Sequence, residues 1–213
     1  MSSNSPVRVE ARLDPHLSRW LWLVKWVLGI PHYVVLVFLW AGLLLASIGA
    51  FLAILVTGRY PKTLFDYNLG VMRWTWRVSA YAYGVLSTDR YPPFTLKDVP
   101  DYPARLEVAY PVLLSRGLVL VKWWLLAIPH YLVLALLLGG LSASRGGGVV
   151  GILVLIAALA LLFTARYPDS IFDLVVGIHR WGFRVAAYAC LMTDVYPPFR
   201  LDQGGAETEP DVA

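Results

Sequence analysis

The chain is short of the side chains that do chemistry. It holds one cysteine, Cys190, which excludes an internal disulfide and any thiolate metal cluster. In its apolar surroundings that thiol reads as a small core hydrophobe. There is no phosphate-cradling glycine loop, no HExxH, no GxSxG and no Cys-His cluster. No nucleophile-and-base set, metal centre or cofactor is therefore expected, and the reading is non-enzymatic. Carboxylates are missing from the two long apolar runs, so a proton or sodium relay through them would have nothing to use. The formal charge is +4 and the sequence pI about 9.2. In so apolar a chain that excess is assigned to topology and an anionic leaflet, with no nucleic-acid partner.

What is present is apolar surface. Hydrophobic residues make up 58% of the chain, with 9 Trp and 12 Tyr, against roughly 45–50% in average soluble domains. Residues 20–57 carry one formal charge, Lys25, and residues 117–165 carry two, Lys122 and Arg145. A spanning helix needs about 20 apolar residues. The expectation is an integral membrane protein of the cell membrane. The first run is too long for a signal-peptide h-region, and a similar block recurs mid-chain.

The chain repeats itself. "RVEARLDPHLSRWLWLVKWVLGIPHY" (8–33) parallels "RLEVAYPVLLSRGLVLVKWWLLAIPHY" (105–131). "TGRYPKTLFDYNLGVMRWTWRVSAYAYGVLSTDRYPPFTL" (57–96) parallels "TARYPDSIFDLVVGIHRWGFRVAAYACLMTDVYPPFRL" (164–201). Self-similarity at this scale marks duplicated units. The expected organisation is a disordered start at 1–6, membrane repeat 1 at 7–98, a linker at 99–103, membrane repeat 2 at 104–201 and a disordered polar tail at 202–213. The second unit is longer in the middle and contains "SASRGGG", a loop composition. It divides the second run into arms near 118–141 and 149–165, and by analogy the first run is expected to turn near Gly42.

Charge placement favours that hairpin model. With two hairpins, 15 of the 18 Lys and Arg lie on one side, Lys25 and Lys122 lie in the arms, and only Arg145 lies opposite, a strong positive-inside bias. The fold class expected is all-α integral membrane: two tandem repeats, each a kinked transmembrane hairpin plus an interfacial amphipathic helix, with cytoplasmic termini. The alternating stretches "VRVEA" and "ARLEVA" read as short cytoplasmic strands that pair with each other or with "PFTL" and "PFRL".

Two motifs bear on function. In "IPHY", Pro31 and Pro129 are read as helix kinks, with Lys25 and Lys122 snorkelling to the interface. His32 and His130 have no carboxylate beside them and make a poor metal set. The helices after "RYP" (64–86 and 171–192) place Asp66, Arg73 and Arg77 on one stripe, and Asp173, Arg180 and Arg184 on another. Two arginines at the bilayer midplane would cost roughly 5–7 kcal/mol, so these helices are expected to lie in the interface. Arg73, Arg77, Arg180 and Arg184 are the candidate donors to an anionic headgroup or solute; the competing role is a network in which Asp66 and Asp173 pair with them.

The quoted residues resemble a family of bacterial, mostly actinobacterial, membrane proteins described as domain of unknown function 4389. The resemblance covers both units, apart from the "SASRGGG" insertion and "TDVYPPF" in place of "TDRYPPF". It implies a polytopic membrane protein and carries over no activity or functional residue. The functional expectation is an accessory or membrane-organising protein whose partners are the lipid bilayer and a membrane protein or a second copy of itself. The alternative is a binder or carrier of an anionic lipid or solute through the arginine stripes.

Overall fold

The fold is described from a computed structural model and covers residues 5–139 and 148–202. The chain order is β1 (Val7–Ala11), α1 (Trp22–Thr57), α2 (Lys62–Tyr81), β2 (Ala104–Val108), α3 (Arg116–Val121), a π-helical segment (Lys122–Leu126), α4 (Ile128–Leu138), α5 (Val149–Thr164) and α6 (Asp169–Ala189). Most of the chain is helical, as its composition demands. The two alternating stretches are the strands.

β1 and β2 form an antiparallel pair with Val9 opposite Leu106. Alternation sends Val7, Val9, Ala104, Leu106 and Val108 into the core and leaves Arg8 and Glu107 exposed. Val9 and Leu106 are also the same position in the two units, one residue after Arg8 and Arg105. Facing a residue with its own counterpart puts a local two-fold axis through the centre of the sheet. The flanking bonds Arg12 N–H to Pro103 O and Ala109 N–H to Pro6 O fix the alternation. They make Val9–Leu106 a pair that does not bond across the ladder, so its two carbonyls point out of the sheet edges.

The same axis runs through the helical layer beneath. Trp76 of α2 and Phe183 of α6 are equivalent positions, each three residues past the stripe arginine, and their rings touch at 5.4 Å between centroids. Trp76 is fully buried and donates Nε1–H to Glu10 O. Around the axis, contacts come in exchanged pairs. Tyr60 Oη–H reaches Cys190 O in the other half, and Tyr167 Oη–H reaches Val85 O. Leu86 and Leu191 both take left-handed backbone at φ 60° and 65°.

One expectation is corrected here. The first apolar run does not turn near Gly42: α1 is one helix of 36 residues that passes through Gly42 and Pro31. Gly42 serves a close approach instead, since a Cβ there would collide with the Tyr67 hydroxyl of α2, which donates to Leu39 O. In the second unit the same long helix is built in pieces. Leu134, Trp181 and Val185 cluster as Leu36, Trp74 and Val78 do, so α4 packs on α6 as the first half of α1 packs on α2. α5 then takes the place of the second half. Gly148 lies against Gly139 N and the Leu136 and Leu137 carbonyls, so the chain re-enters the helical line where it left. Residues 140–147 of the insertion, with Arg145, lie outside the described residues, as do 1–4 and 203–213.

The second unit also carries one extra residue between its lysine and its histidine: seven steps separate Lys25 from His32, eight separate Lys122 from His130. A regular helix would rotate the two side chains apart by about 100°. The extra residue is absorbed as the π-helical segment Lys122–Leu126, the usual fate of a one-residue insertion in a helix. The axis bends by 41° at the break before Ile128 and Pro129. Pro31, by contrast, lies inside a helix that continues through it.

The two long helical lines run antiparallel. Leu114, just before α3, donates its N–H to Gly58 O at the end of α1. Leu13 and Leu17, before α1, share a cavity with Leu161 and Arg166 at the end of α5.

Candidate functional site

The two repeated phrases of the sequence meet in space, twice. His32 of the first "IPHY" stacks on Phe94 of "TDRYPPF" at 4.1 Å and lies against Tyr91 at 4.8 Å. His130 repeats this on Phe199 and Tyr196 at 4.1 and 4.9 Å. Each histidine accepts through Nδ1 from a tryptophan of the following helix, Trp74 at 3.0 Å and Trp181 at 3.1 Å. The proton of the neutral ring is therefore on Nε2, and both Nε2 atoms are buried without a hydrogen-bond partner among the described residues.

The lysines do not snorkel. Lys25 is 1% exposed, and its ammonium donates to Thr88 O and pairs with Asp89 at 2.8 Å, over the ring of Tyr81. Lys122 does the same with Thr193 O, Asp194 at 2.7 Å and Tyr188. A buried ammonium needs such a partner set because desolvation otherwise costs several kcal/mol. Each aspartate also accepts from the backbone ahead of its own long helix, at Ser18 N and Ser115 N. The sequence holds one signal for this pairing that neither phrase gives by itself: both phrases recur in both units.

The arginine stripes are placed as follows. Arg73 donates Nε–H to Leu106 O at 2.9 Å and Arg180 to Val9 O at 3.1 Å. These are the outward carbonyls of the central strand pair, each belonging to the other unit, so the two arginines cover the edges of a sheet that has two strands among the described residues. Arg77 grips Lys97 O and Thr95 O, and Arg184 grips Arg200 O and Asp202 O, in the loops after the double prolines. Burial lowers the pKa of Arg77 and Arg184 from the ordinary value. Asp66 pairs with Lys62 on the surface, not with Arg73 or Arg77. Among the described residues Asp173 makes no ion pair, and it acts on Arg180 through its charge. Among the described residues no group of three or more His, Cys, Asp or Glu could hold a metal ion. Burial pushes the Cys190 thiol up to about 11, far from a reactive range.

The largest feature is apolar. α1 exposes Leu23, Phe38, Leu45 and Val56, with Phe38 at 73%; the second line exposes Leu132, Ile152 and Phe163, the last at 79%. Among the described residues α1 is the one helix long and apolar enough to cross a membrane by itself, and the bent pair Arg116–Leu126 and Ile128–Leu138 passes the same test together. Exposed apolar surface on this scale marks an interface. Arg19, Arg59, Arg116 and Arg166, all exposed, stand at the ends of the two lines.

A comparison with family models matches residues 19–95 and 120–200 to the domain of unknown function DUF4389, in two tandem copies. No curated protein and no solved structure matches.

Proposed function

The chain belongs to the DUF4389 family, and we propose that it is a non-enzymatic, membrane-organising protein that lies in one leaflet with α1 and the α3–α5 line parallel to the membrane plane. The observation that carries this is the position of the charged sheet face. Arg8, Glu10, Arg105 and Glu107 flank the two-fold axis, level with the middle of α1, since Trp76 under the sheet lies beside the part of α2 that packs on residues 32–40 of α1, and the two-fold relation puts them level with the middle of the second line as well.

A slab crossed by two antiparallel lines must be centred on that axis. Crossing would put the sheet charges at the bilayer midplane, where each costs about 2.5–3.5 kcal/mol or more. Length argues the same way. Thirty-six residues extend about 54 Å, against a hydrocarbon core of about 30 Å, and the tilt needed exceeds the ordinary range of about 0–40°. Lying flat, the lines bury their outer apolar faces among acyl chains and the sheet faces water. The four terminal arginines then stand at headgroup level, where each contributes about 1 kcal/mol toward anionic lipid. Arg73, Arg77, Arg180 and Arg184, engaged with carbonyls, serve the fold in this reading, and the anionic headgroups fall to Arg19, Arg59, Arg116 and Arg166.

The test uses single cysteines at Ser18, Thr57, Arg8 and Phe38 on a Cys190→Ala background, probed in cells with an impermeant maleimide. A flat seating labels Ser18, Thr57 and Arg8 from one side only and protects Phe38. Labelling of Ser18 and Thr57 from opposite sides makes α1 a span and overturns the proposal.

A further inference from the structure

The two halves are not equal along the seam between α1 and α2. A groove of about 730 Å³ opens there, walled by Tyr33, Val37 and Trp40 of α1 and floored by Thr75, Val78 and Ser79 of α2, within the size range of small-molecule sites, about 300–1,000 Å³. Its walls are held. Trp40 Nε1–H donates to Thr75 Oγ1 at 3.1 Å, which ties the indole wall to the floor, and Thr75 is anchored in turn on Val71 O. Tyr83 and Gly84 close one end, with Tyr83 Oη–H on Trp22 O at 2.6 Å.

None of these devices is duplicated. Gly182 stands where Thr75 does, and Leu138 stands in place of Trp40 and reaches in to 3.8 Å of the Gly182 Cβ position. Arg77 to Asp89 is 12 steps and Arg184 to Asp194 is 10. The left-handed Leu86 and Leu191 correspond, so the two additional residues are Tyr83 and Gly84 at the groove's end. Among the described residues these groove-forming side chains belong to the first half alone.

We propose that this groove holds one acyl chain of a bilayer phospholipid. The occupant follows from where the groove opens. Tyr33, Val37, Trp40 and Leu44 are both its wall and part of the exposed apolar face of α1, so the space is continuous with the surface proposed to lie among lipid chains. The stretch from Tyr33 to Leu44 is about 16 Å of helix, about the length of an acyl chain that fills half of a hydrocarbon core about 30 Å thick, so the groove has room for a chain laid along α1. The lining is apolar but for hydroxyls, and it offers no charge to a headgroup. The inference rests on the membrane seating proposed above.

The experiment uses the full chain in phosphatidylcholine vesicles that carry a diazirine in the acyl chain. After photolysis, trypsin releases the floor peptide 78–90 and its counterpart 185–200, cut after Arg77 and Arg184. The expected result is label in 78–90 well above that in 185–200, lost in Ala41→Phe, which fills the groove, while label on the outer face of α1 persists. Ala41→Leu gives the same direction of change should the larger ring overpack the site. Equal labelling of the two peptides, or floor label untouched by either substitution, overturns the groove while the labelled outer face of α1 leaves the seating intact. No label on α1 at all overturns both.

Discussion

Trp76 and Phe183 occupy the same place in two copies of one unit, and they touch each other across the axis that also pairs Val9 with Leu106. A residue that meets its own counterpart ties the halves together without any linker. The contact is buried, and Trp76 adds a bond to the strand backbone at Glu10 O. Trp76→Ala is expected to cost about 3–5 kcal/mol, the range for a buried aromatic cut to alanine. Phe183→Ala should cost less, since it carries no hydrogen bond. The double variant should cost less than the sum, because the two share one cavity. Denaturant unfolding in detergent measures all three.

The lysine sites predict an asymmetry. Asp89→Asn leaves the Lys25 ammonium, 1% exposed, without its counter-ion, and breaking a buried pair from that side costs about 3–5 kcal/mol. Lys25→Met removes the charge that needed a partner. Asp89, about a quarter exposed, still accepts from Ser18 N–H. Lys25→Met should therefore be the milder change, and the same order should hold for Lys122→Met against Asp194→Asn. An equal loss for both members of a pair would refute the assignment of the cost to the stranded ammonium. Unfolding midpoints of the four variants decide it.

Parts of this architecture were legible in the sequence and parts were not, for physical reasons. Strand alternation in "VRVEA" and "ARLEV" is a period-two signal that no helix mimics, and those are the strands. The duplication was plain from the repeated phrases. The length of α1 was not. An unbroken apolar run satisfies one long helix and a hairpin equally well, and Gly42 reads as a turn only until the Tyr67 hydroxyl is found pressed against it. The insertion near "SASRGGG" suggested two arms in both units, whereas it interrupts a line that the first unit keeps whole. The arginine stripes were visible as stripes, but their partners are backbone carbonyls, which carry no sequence signature. The pairing of lysine with the Thr-Asp turn joins residues 64 and 72 positions apart, a distance no local pattern spans.

Alkali should reveal the buried phenols. Burial raises the pKa of Tyr60, Tyr102 and Tyr167 above the ordinary value. A group whose folded pKa is raised contributes its stability in full below the unfolded value, about pH 10 for tyrosine, and loses it as pH rises beyond that. Stability should therefore be flat through neutral pH and fall above about pH 10. Phenolate absorbance should show Tyr60, Tyr102 and Tyr167 ionising together with the loss of helical circular dichroism. Tyr→Phe at these sites should lessen the alkaline fall, at the expense of bonds such as Tyr60 to Cys190 O. Ionisation of all three well before unfolding would contradict their burial.

The π-helical segment makes the sharpest prediction, because it concerns a single residue. Lys122 must reach Thr193 O and Asp194, and His130 must reach Trp181 and Phe199. α1 meets the equivalent demands with seven steps of regular helix, and the second unit has eight. Removing Trp124, which is half exposed, returns the spacing to seven and lets the segment wind as an α-helix. The bonds at both ends survive, so the deletion should be tolerated and the helix made more regular. Removing the exposed Val27 from α1 leaves six steps, with no bulge to give up. Lys25 and His32 are then turned apart by about 100°, and one of them loses its partners. Hydrogen exchange over 116–138 should slow or hold in the first deletion, whereas the second should lower the unfolding midpoint sharply. If both deletions behave alike, the π segment is not what reconciles the two buried sites.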